Sequence, residues 1–429
     1  MKQHLRRAAR AALTMTAVAA VVAASACSSQ PPAPSAGDLG GTVSVLINPE
    51  QNTGLKLFYD SFQTETGVTL DVEFTDSQSL AEQLRVLITS GTAPDLFRSS
   101  VGNLQVGVHT LVREGYLADL SDQPWVATLP ESFLPLVQID GKVYAYPTSG
   151  QGIVMFYNKA VFTELGLTAP TTWSEFITLS EKVKAAGKVP VSLGLGQQAY
   201  IQFIPYMLAA SLVSSQKPDF YEQMDAGNAT FATSPEWKQV FEKFIGLIDD
   251  GLTTPNPLGM PGDQAMQAVA KGDAAMIPLV SSNLPALAEY FADGVDGVGV
   301  FALPATDNAG DTWVPFSPDL LSINVDAKNP DGAKAFLAYV ATPERATEYS
   351  AATSTVPALV GAEPVDSLVG QLLGPLVNEG RTAPFSVHRW PNGEVQQTLI
   401  KDGQLVVSGD LSIDELLQRM DLAYAKGVQ

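Results

Sequence analysis

The chain has 429 residues, with 45 Asp+Glu against 25 Lys+Arg, three His and one Cys, and a formal net charge of −20 although only 16% of its residues are charged. It is acidic through a shortage of bases, which argues against nucleic acid and anionic lipid surfaces as partners, since both need clustered Lys and Arg. One Cys and three His cannot build an intrachain disulfide or a Cys/His zinc site, and no D-x-[DN]-x-[DN]-G calcium loop is present, so neither metal nor cofactor is expected. With 45% apolar residues, the length allows two or three domains and a core that needs no staples.

The opening segment reads as an export address. Lys2, Arg6, Arg7 and Arg10 precede the mostly apolar run 11–26, which is too short and too Ala-rich to span a bilayer. The run ends in Ala24-Ser25-Ala26-Cys27 and leads into the Ser/Pro/Ala-rich stretch 28–36, which resembles a bacterial lipoprotein cleavage box and tether, with Ala24 where Leu is usual. The expectation is a signal peptide over 1–26, a tether over 27–40 and a lipid on Cys27, holding the protein on the outer face of the cytoplasmic membrane. The alternative is an ordinary signal-peptidase site that leaves Cys27 a free thiol. Removal of residues 1–26 takes away four bases and no acids, so the charge moves from −20 to −24.

From residue 41, short β-rich runs alternate with longer runs of helical period, the pattern of an α/β protein. Strands are predicted over 42–48, at the alternating Leu70, Val72 and Phe74, and over 153–157, 189–193, 274–280, 297–303 and 320–325. No two-residue hairpin turn precedes any of them, which favours parallel pairing through helices. Capping chemistry marks helix starts at Ser79-Leu-Ala-Glu82, Thr172-Trp-Ser-Glu175 and Ser412-Ile-Asp-Glu415, and a cap followed by proline marks Ser234-Pro235 and Thr342-Pro343. Gly91 and Gly187 stop the first two. No long linker divides the chain, so its domains are expected to be joined by short crossings at 146–152, at 314–318 and around 357–364.

The order of segments is informative. Residues 48–54, Phe62-Gln-Thr-Glu-Thr-Gly67, Ala93-Pro-Asp-Leu-Phe97, Asp140-Gly-Lys-Val-Tyr-Ala-Tyr-Pro147, Phe156-Tyr-Asn-Lys159, Lys271-Gly-Asp-Ala-Ala-Met276 and Ile323-Asn-Val-Asp-Ala-Lys-Asn-Pro330 together resemble family 1 extracellular solute-binding proteins, the family of maltose-binding protein. The resemblance implies an α/β, two-lobed, periplasmic-binding-protein-like fold (type II) with three hinge crossings and a ligand cleft between the lobes. It implies an N-lobe of 41–147 plus 317–353 and a C-lobe of 148–316 plus 354–429. It also implies a monomeric substrate-binding lipoprotein, without catalysis, that delivers a carbohydrate, above all an oligosaccharide, to the permease subunits of an ABC importer.

In open α/β sheets ligands settle beyond the carboxyl ends of strands, so the loops after Asn48, Phe97, Leu193 and Val280 should face the cleft. A sugar asks for planar hydrogen-bonding side chains around its edge and aromatic faces against its C–H surface. The candidates are Glu50, Gln51, Asn52, Arg98, Ser99, Asn103, Gln151, Gln198, Tyr200, Ser282, Asn283, Phe316, Asp319, His388 and Trp390. The resemblance carries a ligand role by position to Gln151, Gln198 and Tyr200, and aligns Trp390 with a stacking aromatic. Ser282 stands where many relatives have a Trp platform, which leaves either a different substrate or compensation by Phe316 or Trp125. Tyr200 lies among apolar neighbours and has a competing core role, while Trp173 and Trp237 read as packing. Gly194-Leu-Gly196-Gln-Gln-Ala199 fits a loose dinucleotide pattern without the acid about twenty residues on. Two rival functions stay open: an exported glycoside hydrolase using Glu50 and Asp319 as paired carboxylates, and a binding protein for a non-sugar solute such as a polyamine.

Overall fold

The computed structural model describes residues 39–427 apart from 103, 131 and 132, so the export segment, Cys27 and Asn103 lie outside the described residues. Twelve strands are described: β1 (Thr42–Ile47), β2 (Thr69–Phe74), β3 (Leu96–Ser99), β4 (Gln138–Ile139), β5 (Lys142–Val143), β6 (Tyr146–Asn158), β7 (Val189–Val191), β8 (Ala274–Val280), β9 (Val298–Phe301), β10 (Val314–Ile323), β11 (Val356–Pro357) and β12 (Thr382–Pro384). Apart from the β4–β5 hairpin they form one sheet, ordered β2-β1-β3-β10-β6-β8-β7, with β9 and β11 on β6 and β12 on β10. Apolar residues gather in two separate cores. One holds Val43, Leu46, Phe62, Phe97, Tyr146, Leu320 and Phe336. The other holds Ile153, Phe156, Trp237, Phe241, Met276, Trp390 and Leu417.

The sheet is mixed rather than parallel. β1 pairs parallel with β2 and β3, and β7 with β8, but β10 runs antiparallel to β3 and β6, and β6 antiparallel to β8 and β9. The antiparallel neighbours are far apart in sequence, so the lack of hairpin turns says nothing against them. The tight hairpin that does occur, β4–β5, turns on Asp140-Gly141, whose φ angles of 51° and 79° suit a two-residue turn of matching twist.

Local chemistry explains the helix starts. Thr172 and Ser412 form reciprocal capping boxes with Glu175 and Glu415, and Ser234 and Thr342 cap helices that begin with proline. Ser79 does not cap its helix. Asp76 does, accepting from the Ser79 N–H at 3.0 Å, because the helix begins earlier, at Ser77. A carboxylate at this end also meets the positive pole of the helix dipole. No helix among the described residues is long and apolar enough to cross a membrane.

The two cores are joined by β6, β10 and β11 lying side by side. Gly150 of β6 is opposite both Pro318 and Val356, and Ser149 is opposite both Asp319 and Pro357. All three crossings are therefore in register at one point, next to which the β6–β10 register shifts, Thr148 of β6 being the extra residue between the partners of Asp319 and Leu320. Gly150 is required there because the Phe316 ring lies across it: a Cβ would sit 2.1 Å from the ring's Cζ. On its other side Phe316 stacks on Phe133, with centroids 5.9 Å apart.

A methyl at this point must displace packed atoms, so Gly150→Ala is expected to lower unfolding free energy by about 1–3 kcal/mol. Gly246, inside the helix Pro235–Asp249, has nothing within 4 Å of its missing Cβ, and Gly246→Ala is expected to raise stability by about 0.5–1 kcal/mol. Denaturant unfolding of the two variants should shift the midpoint in opposite directions.

Candidate functional site

The carboxyl ends of β1 and β3 and the middle of β10 bring charged groups to the floor of the space between the cores. Asn48 follows β1 and caps the helix Pro49–Leu55, accepting from the Gln51 N–H at 2.9 Å, which sets Glu50 in the first helical turn. Glu50 Oε2 is buried and has no hydrogen-bond partner among the described residues. Burial lifts its carboxyl above the usual carboxylate range; its own backbone amide and Arg98 oppose the shift, and the charges of Asp319 and Asp76 add to it.

Arg98 of β3 donates from Nε to Asp319 Oδ1 of β10 at 3.0 Å, with both side chains largely buried. Burial raises the Asp319 carboxyl in spite of this partner. Next to the pair lies His388, stacked on Phe385 at 5.3 Å with Nδ1 3.4 Å from Ser317 Oγ. Burial, and then the Arg98 charge, push the imidazole down to about 3, so it is neutral at physiological pH. The backbone of Gly102 also closes on this residue: a Cβ there would lie 3.0 Å from the His388 carbonyl oxygen.

Tyr200 comes from the other lobe. It is half-buried, tilted against Phe203 at 4.8 Å, and its ring lies against Gly262. Burial raises its hydroxyl pKa, and the charges of Glu50 and Asp263 add to the rise. Glu50 is carried by the first lobe and Tyr200 packs against the core of the second. Gln198 is exposed at the start of the same short helical turn, Gln198–Gln202. Gln151 is buried opposite Ser317 in the crossing, and Ser282 and Asn283 are half-buried in the turn after β8, beside Ser281, whose Oγ accepts from the Gly152 N–H at 3.2 Å.

Five expected residues are committed elsewhere. Gln51 is fully buried and donates to the Leu320 carbonyl at 3.2 Å, tying the first helix to the crossing strand. Ser99 is buried with Oγ 2.8 Å from Ser322 Oγ, and Asn52 accepts from the Tyr59 hydroxyl at 3.1 Å. The Phe316 ring is spent on Gly150 and Phe133. Trp390 is not a stacking platform: it is 0% exposed, edge-on to Tyr206 and Phe231 in the second core. Trp125 cannot compensate for Ser282 either, being buried against Tyr146 at 5.0 Å. The Gly194-x-Gly196 pair is structural, since Cβ atoms there would lie 2.8 Å from the Gly262 Cα and from the Met260 carbonyl oxygen. Ser317 and Asp263 escape sequence reasoning. The signals were present in each case: Ser317 precedes the crossing proline, and Asp263 opens a helix beside Tyr200's contact, Gly262.

A model of the family described as bacterial extracellular solute-binding protein matches residues 47–347. The multiple sugar-binding protein of Streptococcus mutans is 26% identical over 304 residues, covering 70% of each chain. The galactooligosaccharide-binding protein of Bacillus subtilis is 24% identical over 322 residues, 75% of this chain and 73% of that one. Among solved structures, a chitin oligosaccharide binding protein superposes with a TM-score of 0.78 at 21% identity, covering 91% of this chain and all of the other. At that identity the likeness establishes the fold, the two-lobed type II architecture.

Two substitutions on the cleft floor should act in opposite directions. A raised carboxyl means that the folded protein holds more protons than the unfolded chain above the usual value of 4.5, so Glu50 costs stability increasingly as pH rises through its folded pKa. Glu50→Gln is expected to melt above the wild type at pH 7, with the gap closing towards pH 4. Arg98→Met strands the buried Asp319 carboxylate and is expected to cost about 3–5 kcal/mol at pH 7. Thermal melts across this pH range check both.

Proposed function

This chain belongs to the bacterial extracellular solute-binding protein family, and on that premise we propose that it captures an oligosaccharide between its lobes by hinge closure and hands it to the permease of an ABC importer. It is an exported binding protein and not an enzyme, as its family is. Glu50 and Asp319 therefore serve binding rather than glycoside hydrolysis, and Asp319 is already engaged by Arg98.

The observation that carries the reading is the buried, unpartnered Oε2 of Glu50 in the first lobe together with the half-buried Tyr200 ring in the second. One offers a desolvated acceptor and the other a ring face, the two features that a hydroxyl-rich ring needs. Arg98, Gln151, Gln198, Ser282, Asn283, Asp319 and His388 complete the proposed contacts. The lobes, 41–147 with 317–353 and 148–316 with 354–429, move as bodies about the three crossings. Ligand touches both only when they are closed, so its binding energy shifts the population towards the closed form. The relatives from Streptococcus mutans and Bacillus subtilis, named for sugars, support the substrate class. The protein acts as a monomer, held to the outer face of the cytoplasmic membrane by a lipid on Cys27.

Calorimetric titration with an oligosaccharide panel tests the class: saccharide binding is expected, and binding of polyamines with none of any saccharide overturns it. Tyr200→Ala should weaken saccharide binding by about 1–3 kcal/mol with little change in melting temperature. Intact-mass measurement of the membrane-associated protein should find a diacylglyceryl group on an N-terminal Cys27; an unmodified thiol rules the anchor out.

A further inference from the structure

Three aromatics that a saccharide cleft could use are withdrawn into the cores: Trp390, Trp125 and Phe316 are 0, 3 and 7% exposed. Phe74 is the opposite case, at 53% exposed. It is the last residue of β2, the edge strand, and pairs in register with Ile47, immediately before the Asn48 cap of the helix that carries Glu50. Leu70 and Val72, on the same face of β2, pack against the first core. Phe74 continues that apolar stripe past the covered region, at the carboxyl end of the strand, where ligands of α/β sheets settle.

The neighbourhood ties Phe74 to the cleft. Asp76, two residues further on, acts on the Glu50 carboxyl through its charge, and Glu50 acts on Tyr200 in the opposite lobe. Phe74 and Glu50 lie at and just past the carboxyl ends of two neighbouring parallel strands, β2 and β1. A single exposed apolar side chain is ordinary on a protein surface. An aromatic one at the end of an edge strand is less so, because edges are usually blunted by charge or proline.

We propose that Phe74 is an outer stacking platform, taking the apolar face of a sugar unit beyond the one held at Glu50 and Tyr200, and so making the site selective for oligosaccharides over monosaccharides. This rests on the saccharide reading above and adds chain length to it. A ring contributes there only when the ligand is long enough to reach it, so its effect grows with ligand length, whereas a packing residue would weaken all ligands alike.

The test is calorimetric titration of the wild type, Phe74→Ala and Phe74→Trp with galactose, melibiose, raffinose, stachyose and a chitin oligosaccharide series. The expected result is an affinity loss of about ten-fold in Phe74→Ala for the longest saccharide bound, about two-fold or less for the shortest, an unchanged melting temperature, and recovery in Phe74→Trp. An equal loss at every length, or no loss for the longest ligand, overturns the inference while leaving saccharide capture standing. If the wild type binds none of these saccharides, the proposed function falls and the platform with it.

Discussion

The structure depends on one registration: three crossing strands meet abreast at Ser149 and Gly150 of β6, opposite Pro318 and Asp319 on one side and Val356 and Pro357 on the other. Two lobes joined by one strand could swivel freely, whereas three in register restrict the motion to a hinge. The same point fixes chemistry. Asp319, held in the crossing strand, positions Arg98 on the floor of the cleft, and Thr148 locks the Asp319 carbonyl from the neighbouring strand at 3.1 Å. The crossing point and the Arg98–Asp319 ion pair thus share one residue of β10, Asp319.

The cleft floor is costly in solvation terms. Asp319 is buried with one cationic partner, and half-buried Glu50 has a buried Oε2 with no hydrogen-bond partner among the described residues. Natural proteins accept such groups where a ligand supplies what the protein withholds. The acidity of the whole chain is a different matter. It follows from scarce Lys and Arg over an exported surface, while the floor depends on the placement of a few groups: Arg98 pairs with Asp319, Glu50 Oε2 has no hydrogen-bond partner among the described residues, and His388 stays neutral.

Much of the fold was legible because it is written in local chemistry. Capping boxes at Thr172 and Ser412 need only three residues each, and the crossings at 146–152 and 314–318 announce themselves through Pro147, Gly150, Gly152 and Pro318. Sheet direction was not legible, since β3 and β10 pair across more than two hundred residues and no local pattern encodes that. The surroundings of the candidate site residues were less legible than the elements that carry them. Residue type and position could suggest Trp390 as a platform, yet whether an aromatic faces ligand or core is decided by what Tyr206 and Phe231 do around it. Gln51 and Ser99 illustrate the same limit: one follows β1 and the other ends β3, but its hydrogen bond turns each inward.

The first core is not continuous in sequence. Val43, Phe62 and Phe97 come early, but Leu320, Ile323, Phe336 and Leu337, which complete that core, follow nearly the whole of the second lobe's central strands. For a chain threaded outward with its amino end leading, the early segments therefore emerge without the partners that would let them close. The lobe that arrives first cannot complete its core until the second lobe's central strands have followed it.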